Sequence, residues 1–313
     1  MGARASAAER SPVSVDLKGL IDLKPGGEAI RLTAPRVRAF AVGGHLSPFK
    51  GRGVEFDESR PYQPGDDIRN IDWRVTARSG RTHTKLFREE RERPVFLWVD
   101  FRRPMFFATR GRFKAVLAAR LASLLAWSAV YQGDRVGAVI FSEDDHHELK
   151  PRRGKAGVLQ FIRRMVEHPA WSAEREAAAD PEAGGRALAR LQRVARPGSL
   201  VFLLSDFRDL HERAESQLAR LGRNTDLVMV MLHDPLEREL PPPGQYPLSD
   251  GRDELLLDTF DPALVRRYRE RFLERSGRLQ TLARRNRMHF LSCGTHEEPL
   301  AALQAGLNSR GER

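Results

Sequence analysis

The sequence predicts an α/β protein: an open, mostly parallel sheet with helices on both faces, preceded by a loop- and strand-rich N-terminal segment. Three observations predict it. Continuous apolar runs of strand length, VFLWVD (95–100), RVGAVIFS (135–142), LVFLLSD (200–206) and DLVMVML (226–232), have the pattern of strands buried on both faces. Helical periodicity fills the intervals between them. Strands alternating with helices pair in parallel through right-handed crossovers, which set their carboxyl ends along one edge. Asp100 and Asp206 fall on that edge.

Taken in order, residues 1–12 read as a disordered tail and VDLKGLIDL (15–23) as a short helical segment before a Pro-Gly break. Another short element is expected near 27–40. The Gly- and Pro-rich stretch 43–67 reads as extended and looped. THTKLFREE (82–90) alternates as a strand does, and Pro94 stops it. The division that follows is a tail at 1–12, an N-terminal segment at 13–93 and a sheet domain at 94–313. Within the last, helices are expected at about 110–131, 154–167, 183–195, 209–222, 261–287 and 298–307. HHELKP (146–151) reads as an edge strand, YPLSD and DELLLD as a hairpin, and MHFLS (288–292) as a final strand.

Composition narrows the function. At 41% hydrophobic over 313 residues the chain has a core, and no window reaches the roughly 18 apolar residues that span a bilayer. The most apolar stretch, 115–130, is broken by Arg120 and serines and reads as a buried amphipathic helix. The N-terminus lacks a signal-peptide core; MGARAS matches a myristoylation start only loosely, so a cytoplasmic protein is expected. The single cysteine, Cys293, excludes an internal disulfide and a multi-cysteine zinc site, and reads as a buried, inert thiol. A net charge of +11 invites nucleic acid, but acidic residues are interleaved almost everywhere. The one-signed block is 266–287, where Val265, Tyr268, Phe272, Leu279 and Leu282 keep helical spacing and arginines take the other faces.

The densest motif is YQPGDDIRNIDWRVTAR (62–78). Its structural reading gives a turn at Pro64-Gly65 and a cap from Asp66 or Asp67. In that reading Trp73 anchors the segment to the core, and Arg69, Arg74 and Arg78 pair with the aspartates. A partner-docking surface built from the same residues is compatible with it. Catalysis by Asp66 and Asp67, or a metal held with Asp72, lacks a nucleophile, a phosphate cradle and any nearby histidine. Neither is GKAGV (154–158) a phosphate loop, since the G-x-x-x-x-G-K spacing is absent. His146 and His147 beside Asp144 and Asp145 read as a polar hairpin before a metal site.

GRGVEFDESRPYQPGDDIRNIDWRVTARSG (51–80), followed by a strand ending in Asp and by GDRVGAVIF (133–141), resembles the bacterial "domain of unknown function 58" family over roughly residues 40 to 235. The resemblance implies a von Willebrand factor A-like sheet domain and a MoxR-type AAA+ ATPase as partner. It also draws in Glu55, Tyr62, Gly65 and Asp72 as motif positions. That fold often carries a metal-ion-dependent adhesion site, Asp-x-Ser-x-Ser plus a threonine and an aspartate from later loops. Here Asp100 is kept, Arg102 and Pro104 stand at the serine positions, the second loop brings no threonine, and Ser205-Asp206 matches the later aspartate. The implied site is degenerate, with no cofactor expected and a divalent cation at Asp100 and Asp206 the lesser reading. An arginine in the cation's place is the alternative.

The expected function is therefore a non-enzymatic adaptor that docks a MoxR-type ATPase and a client protein during assembly or maturation. The alternatives are nucleic-acid binding through the arginine-rich helix and a metal-dependent hydrolase using Asp100 and Asp206.

Overall fold

The computed structural model describes residues 11–32, 54–89, 92–172, 180–208, 210–249 and 254–308. The chain divides into two units: Arg38–Glu92 forms one, and Met1–Val37 with Arg93–Arg313 forms the other. The boundary expected at 93/94 is close, but the segment 13–93 is not a single piece. Helices α1 (Leu17–Ile21) and α2 (Lys24–Glu28) belong to the sheet unit. The reason is packing against the apolar helix at 114–131. Leu20 and Ile30 are fully buried, and Ser128 Oγ and Trp127 Nε1 donate to the carbonyls of Ile30 (2.8 Å) and Leu20 (3.4 Å). Pro12 is tied down as well, its carbonyl accepting from Phe113 N at 2.8 Å; residues 1–10 of the expected tail lie outside the described residues.

The smaller unit is a hairpin with an elaborate crossover. β1 (Val54–Pro61) and β2 (His83–Glu89) pair antiparallel from Val54↔Glu89 to Pro61↔His83. Between them run a turn at Gln63–Asp66, a 3-10 turn at Ile68–Asn70 and α3 (Trp73–Ser79). Gly80, at φ 70°, ends α3 in the left-handed conformation that only glycine adopts without cost, its N–H bonded to Thr76 O.

In the larger unit each apolar run is a strand: β3 (Pro94–Asp100), β4 (Arg135–Phe141), β6 (Leu200–Ser205) and β7 (Asp226–His233). Two more complete the sheet, β5 (His146–Arg153) antiparallel at one edge and β10 (His289–Gly294) parallel at the other, in the order β10-β7-β6-β3-β4-β5. β8 (Gln245–Ser249) and β9 (Glu254–Asp258) make a separate hairpin.

Alternate residues of one strand feed opposite cores, as the pleat demands. Val95, Leu97 and Val99 pack with α4 (Lys114–Tyr131), α5 (Gly154–Val166) and α10 (Pro299–Asn308). Phe96 and Trp98 pack with α6 (Ala183–Val194), α7 (Glu212–Asn224) and α9 (Pro262–Arg285). The remaining helix, α8 (Pro235–Arg238), is one turn closed by a capping box between Asp234 and Glu237.

This is the open α/β sheet expected, consistent with a Rossmann-type, von Willebrand factor A-like fold. α4 corrects one expectation. Over 18 residues, at mean hydropathy 1.2, it is long and apolar enough to cross a membrane by length and composition. Its position explains that composition: 83% of the helix is buried between the sheet and the surrounding helices, so it carries no polar face to solvent.

Candidate functional site

Two places hold the residues singled out in the sequence. In the smaller unit, the aspartates of the dense motif are spent on the backbone. Asp66 closes the turn by accepting from Gln63 N (2.9 Å) and binds Arg60 Nη2 (2.7 Å). Those two bonds, the backbone one first, hold its carboxyl below the usual range. Pro64-Gly65 turns as expected, with Gly65 at φ 107°. Asp67 caps the 3-10 turn through Arg69 N (2.9 Å). Asp72 caps α3, taking Arg74 N (3.1 Å) and Val75 N (3.2 Å) on one oxygen and Ser59 Oγ (2.8 Å) on the other. The Ser59 hydroxyl and then the Val75 amide hold this carboxyl low too.

Two expectations fail here. Trp73 does not anchor the segment: it is 70% exposed, because α3 turns its first residue outward from Asp72, the buried cap. Arg69, Arg74 and Arg78 do not pair with the aspartates, which accept from backbone N–H groups, Arg60 and Ser59 instead, and make no ion pair among the described residues. All three are exposed, beside Ile68 at 67%. Tyr62 is half-buried, its N–H bonded to Thr82 O at 2.8 Å. Glu55 lies in β1, and its side chain is outside the described residues.

The second place is the carboxyl edge of the large sheet, where the strand order reverses between β3 and β6. Open α/β sheets bind ligands in that crevice. Asp100, ending β3, and Asp206, following β6, are both fully buried. Arg102 lies across Asp100, with Nε 3.1 Å from each carboxylate oxygen and Nη2 2.8 Å from Oδ2. Its own N–H bonds Oδ1 at 2.9 Å, and Ser205 Oγ donates to Oδ2 at 2.6 Å. Pro104 is the middle residue of a 3-10 turn, Arg103–Met105, directly after.

Asp206 receives Lys114 Nζ at 2.9 Å and lies 3.8 Å from Arg102 Nη2. Lys114 also reaches Glu237 Oε1 at 2.6 Å, where Arg208 Nη2 meets the same oxygen at 2.6 Å. Burial pushes the Asp206 carboxyl up, but Lys114, the Arg208 N–H and Arg102 together hold it below its ordinary value. Arg102 thus lies against both carboxylates, with Nη2 2.8 Å from Asp100 and 3.8 Å from Asp206. The donor set does not fit a hard divalent ion, because every oxygen of Asp100 and Asp206 is turned to an N–H or O–H donor.

Lys114, Arg208 and Glu237 escaped the sequence reading. Lys114 opens an apolar helix, and Glu237 lies 123 residues from it in a one-turn helix. A neighbouring network was missed as well. Asp234 accepts from Thr109 Oγ1 (2.5 Å) and N (2.8 Å), Leu236 N (2.9 Å) and Thr295 Oγ1 (2.8 Å). Burial raises its carboxyl, and the Thr109 bonds lead the group that brings it low.

Of the histidine pair, His147 faces Asp145 (3.6 Å) and the buried ring of His168, so that Asp145, His147 and His168 bring ligand atoms within 4.8 Å of one another. Ala170 N–H donates to His168 Nδ1 at 3.2 Å. A neutral ring accepting there carries its proton on Nε2, the tautomer that cannot bind a metal through Nε2. Cys293 is buried at the end of β10, its thiol pushed up to about 12 by burial and then by Glu297.

The model of the family described as "Protein of unknown function DUF58" matches residues 58–278. The "Uncharacterized protein Mb1516" of Mycobacterium bovis and the "Uncharacterized protein Rv1480" of Mycobacterium tuberculosis are each 31% identical over 228 residues, 71% of this chain and 68% of theirs. Among solved structures, an aerotolerance-related membrane protein from Bacteroides fragilis is 14% identical at a TM-score of 0.42, covering 69% of this chain and 99% of its own. The conserved hypothetical protein BatB from Bacteroides thetaiotaomicron is 13% identical at 0.41 over 71% and 100%. An uncharacterized membrane spanning protein from Vibrio fischeri is 14% identical at 0.23 over 71% and 100%. Two of these three are described as membrane proteins, so the cytoplasmic setting expected from the sequence does not stand. At TM-scores below 0.5 the likenesses put no other setting in its place. With a family model over most of its length and relatives matched across two thirds of theirs, the chain belongs to the DUF58 family.

Proposed function

We propose that the protein is a non-enzymatic adaptor that docks a MoxR-type AAA+ ATPase and a client protein, with the Ile68–Arg78 face of the smaller unit as the ATPase dock. The observation that carries this reading is the exposure of Trp73 at 70%, flanked by Ile68 and by Arg69, Arg74 and Arg78 without ion pairs among the described residues. Tryptophan and arginine dominate the energetic centres of protein interfaces. Local capping supplies a reason for the aspartates, and among the described residues no hydrogen bond or ring contact uses the Trp73 side chain. The ATPase as partner comes from the family resemblance.

A hydrolase reading is weakened by the same bookkeeping at the sheet edge. A general base needs an available carboxylate, and Asp100 and Asp206 are both saturated by donors.

The test uses the full-length protein and the purified ATPase from the same cells. Trp73→Ala is expected to leave the melting temperature unchanged, as exposed substitutions do, and to weaken ATPase binding at least about tenfold. Equal affinity of the variant and the wild type rejects the dock.

A further inference from the structure

Between α7 and α9 of the larger unit lies a groove of about 540 Å3, within the size range of ligand sites. It starts at Phe207, the residue after Asp206, so it adjoins the sheet edge where the strand order reverses. Phe207, Leu210 and Leu279 give it an apolar lining. Arg271, Arg275 and Arg278 line it from α9, spaced i, i+4, i+7 and therefore on one face.

Among the described residues, Arg271 and Arg275 are poorly compensated. Arg271 makes no ion pair among the described residues. Arg275 Nε is buried without a hydrogen-bond partner, and its Nη2 lies 3.9 Å from Glu237, an acid already claimed by Lys114 and Arg208. Against them the groove offers Glu215, which is held by Arg278 at 2.5 Å, and Glu274. Behind the groove, the acids Asp100, Asp206 and Glu237 are already engaged by Arg102, Lys114 and Arg208, so Arg275 shares Glu237 with two closer cations. The Arg275 guanidinium is correspondingly pushed down, by burial first and by Arg208 second.

We propose that this groove binds a short acidic stretch of a partner polypeptide, glutamate or aspartate side chains paired by Arg271 and Arg275 and interleaved with apolar residues seated on Phe207, Leu210 and Leu279. The mixed lining selects this occupant over nucleic acid. Glu215 and Glu274 repel a continuous phosphate backbone, whereas a peptide can set its carboxylates against the arginines and its apolar side chains against the leucines. The site lies wholly in the larger unit and is independent of the dock proposed at Trp73.

The experiment titrates the full-length protein into a fluorescein-labelled hexapeptide alternating glutamate and leucine, at about 0.1 M salt, where long-range attraction is screened. The same peptide with glutamine for glutamate and a labelled single-stranded oligonucleotide are run beside it. Saturable binding of the glutamate peptide is expected, weakened at least about tenfold by Arg271→Glu and by the glutamine substitution. Arg269→Glu, on the opposite face of α9, leaves it unchanged, and thermal melts check that every variant folds. The proposal is overturned if the wild type does not bind, if the two arginine variants weaken binding alike, if the glutamine peptide binds as well, or if the oligonucleotide binds tighter through Arg271.

Discussion

At the scale of single residues, Lys114 has the most demanding position. It is fully buried at the start of an apolar helix and is the cation that both Asp206 and Glu237 face at short range. Removing one member of a buried ion network leaves the others uncompensated, at a cost of about 3–5 kcal/mol. Lys114→Met is therefore expected to lower the urea midpoint sharply, and pairing it with Glu237→Gln to recover part of the loss; equal stability of the two variants rejects the coupling. Cys293 gives a second residue-level expectation. A buried thiol raised to about 12 resists alkylation at pH 8 in the native protein and reacts at once after unfolding, which mass spectrometry of trapped adducts reads directly. The residue scale is also where the sequence was least legible. The pairing of Arg102 with Asp100 was open to inference, being two residues apart at a strand end. Lys114, Glu237 and Thr109 were not, because their partners lie 92 to 125 residues away and no local pattern records such a distance.

Among the elements, strands and helices were readable almost throughout, since each apolar run serves two faces of a buried sheet and each helix carries a stripe for one. What escaped was the side on which elements dock. The helices α1 and α2 looked like a prelude to the smaller unit, yet the closeness of α2 to α4 depends on a missing side chain. A Cβ on Gly27 meets Trp127 Cβ at 2.6 Å and Leu124 O at 2.7 Å. Gly27→Ala should force the helices apart and destabilise by about 1–3 kcal/mol, with 11–32 becoming the first region to lose hydrogen-exchange protection. An unchanged exchange pattern counts against that account. The exposed Trp73 was misread for a related reason: a tryptophan beside a buried cap suggests an anchor, and only the direction of α3 shows that it faces out.

For the whole molecule, the depressed carboxyls set the acid limit. Asp206 and Asp234 are held below the ordinary carboxylate range in the fold. Their contribution is complete above about pH 4, the unfolded value, and is lost as the pH falls through the lower native values. Stability measured by denaturant titration should fall with pH below about 4, and Asp234→Asn should flatten part of that fall; a variant with the same slope as the wild type rejects Asp234 as a contributor. Cys293 acts at the other end with the opposite sign, since its raised native value removes stability only as the pH climbs above the unfolded thiol range of about 8.5.

The division of the chain has a consequence for the order in which the protein is made. The larger unit is left after Val37 and resumed at Arg93, so α1 and α2 leave the ribosome well before the helix that covers them. From Glu28 to Tyr131 is roughly 100 residues, about 5 to 20 seconds of synthesis. Through that interval Leu20 and Ile30 lack the α4 helix to bury against, while β1 and β2 emerge within it and can pair as a local hairpin. The smaller unit can thus meet a partner before the larger unit is complete, while α1 and α2 still await the helix that covers them.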